Sequence, residues 1–226
     1  MIKNMILIWI YLFFVSFNVF GAKKEFAINN DASSILFKNN FNVTVYCSNF
    51  PKIDVFGSTK NLRKLSLIQY STKQISLINN QDSVGFSGAA AGAKLNVKIY
   101  LKYGVLQDVS VADYTSIKIP ACAVIGDGFS LNVTNYSNAF LEGRVNNLNI
   151  ELDGGSTFNN NKNIRFFAKK ANFRSLGRSK LNLCGVHKIE GMLFSGSKIK
   201  FDKTAKSNFV EGQGSSISRV YCGQPR

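Results

Sequence analysis

The stretch from Val109 to Arg219 repeats one short phrase six times: VSVADYTSIKI (109–119), LNVTNYSNAFL (131–141), IELDGGSTF (150–158), FRSLGRSKLNL (173–183), LFSGSKIKF (193–201) and EGQGSSISR (211–219). A hydroxyl residue anchors each copy, at Thr115, Ser137, Ser156, Ser179, Ser197 and Ser215. Two places after it stands Ile117, Ala139, Phe158, Leu181, Ile199 or Ile217. The hydroxyls are 22, 19, 23, 18 and 18 residues apart, which marks an internal repeat of about 20 residues.

Apolar pairs alternate upstream of each hydroxyl: Val109/Val111, Leu131/Val133 and Ile150/Leu152, then the degraded Phe173/Ser175 and Leu193 alone. The alternation resumes downstream as Ile117/Ile119, Ala139/Leu141, Leu181/Leu183 and Ile199/Phe201. Successive side chains on a strand point to opposite faces, so each copy predicts two short strands with one buried face. The pairs Asp113-Tyr114, Asn135-Tyr136, Gly154-Gly155, Gly177-Arg178, Ser195-Gly196 and Gln213-Gly214 separate them. Gly, Asn and Asp tolerate positive φ, which a sharp corner needs. A unit this short cannot bury its apolar face alone, but stacked units bury a continuous interior. The pattern therefore predicts an all-β chain folded as one parallel β-solenoid, with equivalent residues in columns at the ~4.8 Å strand spacing. The hydroxyl column then forms a structural ladder, bonding along the stack or to corner backbone.

Working outward, residues 1–21 read as a secretory signal, with Lys3 before an apolar run from Met5 to Phe20 and small residues at Val19 and Gly21. That run is shorter than the ~20 residues of a spanning helix. Residues 22–226 form one domain, since three prolines and no linker interrupt them. Within it, 22–105 hold strand-like runs that do not follow the phrase, such as FNVTVYC (41–47), and predict N-terminal coils with an atypical cap; 106–222 predict regular rungs. Asp82–Ala93, rich in Gly and Ala, predicts an exposed loop.

FNVTVYC, KIDVFGS, LRKLSLIQYS, KQISLINN and LNVKIYL, followed by VADYTSIKI, VTNYSNAFLEG, ELDGGSTF and FSGSKIKF, together resemble the bacterial GIN domain, the family also called the autotransporter adhesin head domain. The resemblance covers roughly Phe26 to Tyr221. It implies a right-handed β-helix-like fold in an exported bacterial protein. The chain departs from the family's commoner Ser-Gly-Ser-Gly corner at Asp113-Tyr114-Thr115 and Asn135-Tyr136-Ser137. No catalytic residues come with the family, and no membrane β-barrel pattern follows the last phrase, so the adhesin role does not carry over directly.

Formal charge is +15 and falls to +14 without Lys3. Between Lys162 and Lys206 twelve basic residues stand against Glu190 and Asp202. Such a field attracts anionic polymers or membrane surfaces. Export argues against nucleic acid; lipopolysaccharide phosphates, anionic lipid headgroups and acidic polysaccharide fit better. Within the columns, Lys180 and Lys198 become adjacent rungs, with Lys200 and Arg178 on the same outward face. These four are the candidate binding residues, set against the blander possibility of a solvated basic face.

Catalytic and metal signals are thin. His187 is the single histidine, and Cys184 with His187 offers two ligands where a structural zinc site takes four; no metal or cofactor is expected. The alternative function is a polysaccharide lyase or hydrolase, which needs two carboxylates about 5–9.5 Å apart. No two acids of the repeat fall on adjacent coils: Asp113 stands over Asn135, and Glu142 and Asp202 are three coils apart. A cleft with paired acids would favour the enzyme and a flat basic face with aromatics a binding module. Export permits disulfides among Cys47, Cys122, Cys184 and Cys222, and four cysteines allow three full pairings. Column counting puts Cys122 about 24 Å from Cys222, against a Cα limit of about 7 Å. It also excludes Cys122 with Cys184 and disfavours Cys184 with Cys222, so a bridge should join Cys47, with Cys122 the expected partner.

Overall fold

The computed structural model describes residues 21–80, 94–159 and 166–222. The expected signal segment, apart from Gly21, and the expected Asp82–Ala93 loop, apart from nothing but its flanks, lie outside them. The chain runs β1 (Ala22–Ala27), β2 (Ser34–Lys38), β3 (Phe41–Cys47), β4 (Lys52–Gly57), a one-turn helix α1 (Thr59–Leu62), β5 (Leu65–Gln69), β6 (Gln74–Asn79) and β7 (Leu95–Leu101). The phrase region follows as β8 (Asp108–Ala112), β9 (Ser116–Ile119), β10 (Ile125–Val133), β11 (Asn138–Leu141), β12 (Gly143–Leu152), β13 (Thr157–Phe158), β14 (Phe166–Ser175), β15 (Lys180–Asn182), β16 (Val186–Leu193), β17 (Lys198–Asp202), β18 (Lys206–Glu211) and β19 (Ser216–Val220).

Each phrase supplies one strand to each of two sheets. The first sheet orders its strands β1-β4-β7-β3-β9-β11-β13-β15-β17-β19, and the second β18-β16-β14-β12-β10-β8-β2-β6-β5. From β8 onward every pairing is parallel, and the coils form a β-solenoid. The register aligns Ile117, Ala139, Phe158, Leu181, Ile199 and Ile217 in one column. The first five are buried, whereas Ile217 is 36 % exposed because no further coil covers it.

The corners carry the backbone the sequence implied. Asp113, Tyr114, Asn135, Tyr136, Gly154, Gly155, Gly177, Arg178, Ser195 and Gly196 all have positive φ. Just inside them the hydroxyls ladder through the backbone: the N–H of Phe41 donates to Thr115 Oγ1 (3.4 Å), that of Thr115 to Ser137 Oγ (3.2 Å), and that of Ser137 to Ser156 Oγ (3.3 Å). Each hydroxyl thus accepts from the coil before it and satisfies a buried donor that the corner leaves unpaired. Beyond Ser156 the ladder stops, and Ser179 and Ser197 are buried with no partner for Oγ.

The N-terminal part does follow the phrase in one coil, contrary to expectation. Ile35/Phe37 of β2 lead through Asn39-Asn40, both at positive φ, into Val43 of β3, with Phe41 where later coils have the hydroxyl. This coil packs between β8/β9 and β6/β7, so space order departs from chain order. Antiparallel β4 and β1 then extend the first sheet and antiparallel β5 the second, which closes this end. Glu25 and Asp54 oppose each other directly on that cap, and Lys23 and Lys52 bridge both, at 2.8 to 3.4 Å.

Both disulfides clamp the edge opposite the tight corners, where the chain leaves the first sheet. Cys47 ends β3 and bonds Cys122 just past the neighbouring β9, with Cα atoms 6.2 Å apart. Cys184, past β15, bonds Cys222, past β19, with Cα atoms 5.5 Å apart. The second bond corrects the column estimate. The chain after Val220 does not stay in register but turns back over the intervening coil, where the Lys203 N–H donates to Val220 C=O and the Cys222 N–H to Asp202 Oδ2 (both 2.9 Å).

Candidate functional site

The alternation that buries the apolar columns leaves two outer faces, one per sheet, and they differ in charge. On the first sheet Lys180 pairs with Lys198, and Lys200 lies opposite Asn182. All three lysines are exposed, while Leu181 and Ile199 between them are buried. Farther along, Lys118 of β9 and Lys98 of β7 project outward on either side of Thr44 of β3. Ser116, Asn138 and Thr157 fill the middle, and Tyr46 stacks on Tyr100 (ring centroids 5.3 Å apart) toward the N-terminal end. Among the described residues Lys98, Lys118, Lys180, Lys198 and Lys200 make no ion pair. This face is flat, basic and edged with aromatics.

Arg178 falls elsewhere. It occupies a corner at φ 65°, before β15 begins, and its N–H donates to Ser195 C=O. The two-residue alternation that would set it beside Lys180 holds only inside a strand.

The cluster of twelve basic residues also divides. Lys162 and Arg165 lie outside the described residues. Lys169, Lys170, Arg174, Lys188 and Lys206 belong to the second sheet. The acids are there too: Glu190 accepts from Lys170 (2.6 Å) and Lys188 (2.7 Å), and Glu151 from Arg174 (3.0 Å). Side-chain hydrogen bonds from Lys170 and Lys188 hold the Glu190 carboxyl well below the usual range, at about 2. Sequence counting treats a window as one field, but a solenoid deals its residues alternately to two faces.

A groove of about 630 Å³ crosses this second face, over β8, β10, β12, β14 and β16. Its outward side chains form two columns, one of Asp108, Ser130, Asn149, Asn172 and Glu190 and one of Ser110, Asn132, Glu151, Arg174 and Met192. Asp108 and Glu190 are four coils apart, roughly 19 Å at the strand spacing, too far to work as a glycosidase pair. Glu151 and Glu190 are each held by cations, and a carboxyl at about 2 carries no proton to donate near neutral pH. The groove therefore lacks the carboxylate pair of a hydrolase. His187 is exposed on β16, and Cys184 is bridged and has no thiolate to offer a metal. Among the described residues no group of three His, Cys, Asp or Glu could hold an ion.

Comparison with known proteins bears on the fold. A protein of Bacteroides fragilis described as an adhesin candidate has a TM-score of 0.58 at 11 % identity, over 88 % of this chain and 96 % of its own. An adhesin candidate of Parabacteroides merdae has a TM-score of 0.53 at 13 % identity, over 90 % and 97 %. Such likeness shows a shared solenoid fold. No protein-family model matches the chain, and no curated protein does.

Proposed function

We propose that this chain is an exported, non-catalytic binding module of the bacterial cell envelope, of the GIN-domain kind, and that it holds anionic polysaccharide or lipid headgroups on the outer face of its first sheet. The observation that carries this reading is the direct pairing of Lys180 with Lys198, with Lys200 beside them and no acid among their ion-pair partners. Like charges opposed across a ladder cost about 0.2–1 kcal/mol per pair, a cost that a bound anion relieves. Arg178, at the corner next to these strands, extends the basic surface toward one edge. Two disulfides suit an oxidising compartment such as the periplasm or the cell surface, and the adhesin candidates of like fold are compatible with a binding role.

The test is the triple variant Lys180→Ser, Lys198→Ser, Lys200→Ser. Serine already occupies these columns at Ser216 and Ser218, so the fold should persist. Binding of the parent to dextran sulfate and to phosphatidylglycerol vesicles should weaken steeply with salt, and the variant should lose at least tenfold in affinity at low salt. Equal binding by variant and parent would reduce the basic face to a solvated surface.

A further inference from the structure

We infer that the groove on the second sheet is a separate binding site, and that it takes an uncharged oligosaccharide lying along the solenoid axis. The reading rests on the chemistry of the groove and is independent of the basic face. The floor spans four coil steps, roughly 19 Å, and each step is close to the length of one pyranose residue. A chain of about four sugars would therefore meet the same column positions at each rung.

The floor's polar groups match hydroxyls better than ions. Asn132, Asn149 and Asn172 carry both donors and acceptors, as sugar hydroxyls do. Asn172 Nδ2 donates to Asn149 Oδ1 (3.1 Å), a bond that leaves the Asn149 amide NH2 and the Asn172 carbonyl to serve a ligand. Glu151 and Arg174 neutralise each other, and Lys170 and Lys188 neutralise Glu190. These planar groups keep lone pairs and N–H groups for vicinal hydroxyls but set up little net field. Met192, half exposed at the end of the second column, offers an apolar contact for the C–H face of a ring.

Other occupants fit less well. A peptide added as a strand needs a free sheet edge, and the edges of this sheet are β5 and β18, whereas the groove lies on the face between them. An acyl chain needs an apolar floor, and nine of the ten outward side chains in the two columns are polar.

The experiment is calorimetric titration of the full mature chain with cellotetraose, maltotetraose, xylotetraose and chitotetraose in 0.5 M salt, where the basic face is screened. At least one should bind with a dissociation constant at or below about 1 mM. The Asn149→Ala, Asn172→Ala variant should weaken it at least tenfold, while the Lys180, Lys198 and Lys200 triple variant leaves it unchanged. Amide hydrogen exchange should slow in β12 and β14 on adding that sugar, an independent readout should the double variant misfold. No binding by any tetrasaccharide, or binding that ignores the double variant and protects neither strand, overturns the assignment. Loss of dextran sulfate binding in the double variant alone would make the groove an anion site and overturn it as well. Failure here leaves the basic-face reading standing, since that is read at low salt with different variants.

Discussion

Removing the Cys184–Cys222 bond should loosen the last coil and little else. β18 and β19 are edge strands, each paired on one side only. Where Ile199 and Phe201 of the coil beneath are fully buried, Phe209 is half-buried and Ile217 is 36 % exposed. Burying such a side chain completely is worth about 1.5–3 kcal/mol, so these two together supply about 2–4 kcal/mol. The disulfide closes 38 residues, which the chain-entropy relation sets at about 4 kcal/mol for global unfolding. When only the last coil opens, the tethered segment is 203–222, and the same relation gives about 3 kcal/mol. The bond is thus comparable to the packing it supports. In the Cys184→Ala, Cys222→Ala variant, amide exchange of β18 and β19 should accelerate by about a hundredfold, because 1.4 kcal/mol is tenfold. Exchange in β8 to β12 should stay within a fewfold of the parent. The Cys47→Ala, Cys122→Ala variant should leave β18 and β19 unchanged. Unaltered exchange of the last coil, or equal acceleration throughout, would refute the reasoning.

The hydroxyl ladder makes a paired prediction: Ser137→Ala should destabilise by about 1–3 kcal/mol by stranding the buried Thr115 N–H, while Ser179→Ala, whose Oγ has no partner, should be near neutral, as chemical denaturation would show. Gly191→Ala should be among the most damaging single changes, at about 3 kcal/mol or more: Gly191 has φ 150°, and its new Cβ would overlap the Phe173 carbonyl oxygen and come within 2.9 Å of the Phe173 ring. Failure of that variant to lower the thermal midpoint by several degrees would contradict the packing. Glu190 should titrate near 2 by NMR. Because its folded value lies below the ordinary 4.5, its contribution is present above about pH 4.5 and fades as pH falls toward 2. Lys188→Ala should bring the NMR midpoint upward, and an unmoved midpoint would rule out that lysine as a cause.

Much of the fold was legible because a repeat restates its own register. Thr115, Ser137, Ser156, Ser179 and Ser197 align in the structure as they align in the sequence, since a hydroxyl that bonds to the next coil must keep its offset. Asn39-Asn40 was missed as a corner because Phe41 stands where the hydroxyl would, and only its N–H joins the ladder. The terminal turn that brings Cys222 to Cys184 was illegible for a different reason: column counting assumes that a chain end stays in register, and a tail with nothing stacked above it need not. The groove could have been found by the reasoning that found Lys180 and Lys198. Ser130/Asn132, Asn149/Glu151 and Asn172/Arg174 flank Leu131, Ile150 and Phe173 in the same way, but upstream of the hydroxyl, where only the apolar pairs were followed.

The unit of recognition in such a molecule is the column and not the sequence window. Interior columns fix every second residue by packing, so Gly191 can sit between Phe173 and Phe209 and let their rings meet at 5.4 Å across the intervening coil. Outward columns carry no such constraint, and each sheet draws its own from a different part of every repeat. Lys180 and Glu190 are ten residues apart, yet they lie on opposite sides of the core and belong to different surfaces. Charge can then be neutralised on one face and left standing on the other without any change to the interior. A substitution such as Lys198→Ser alters the field of one face, while the Glu190 network, on the other side of the core, keeps its geometry. That separation is what makes the two proposed sites testable one at a time.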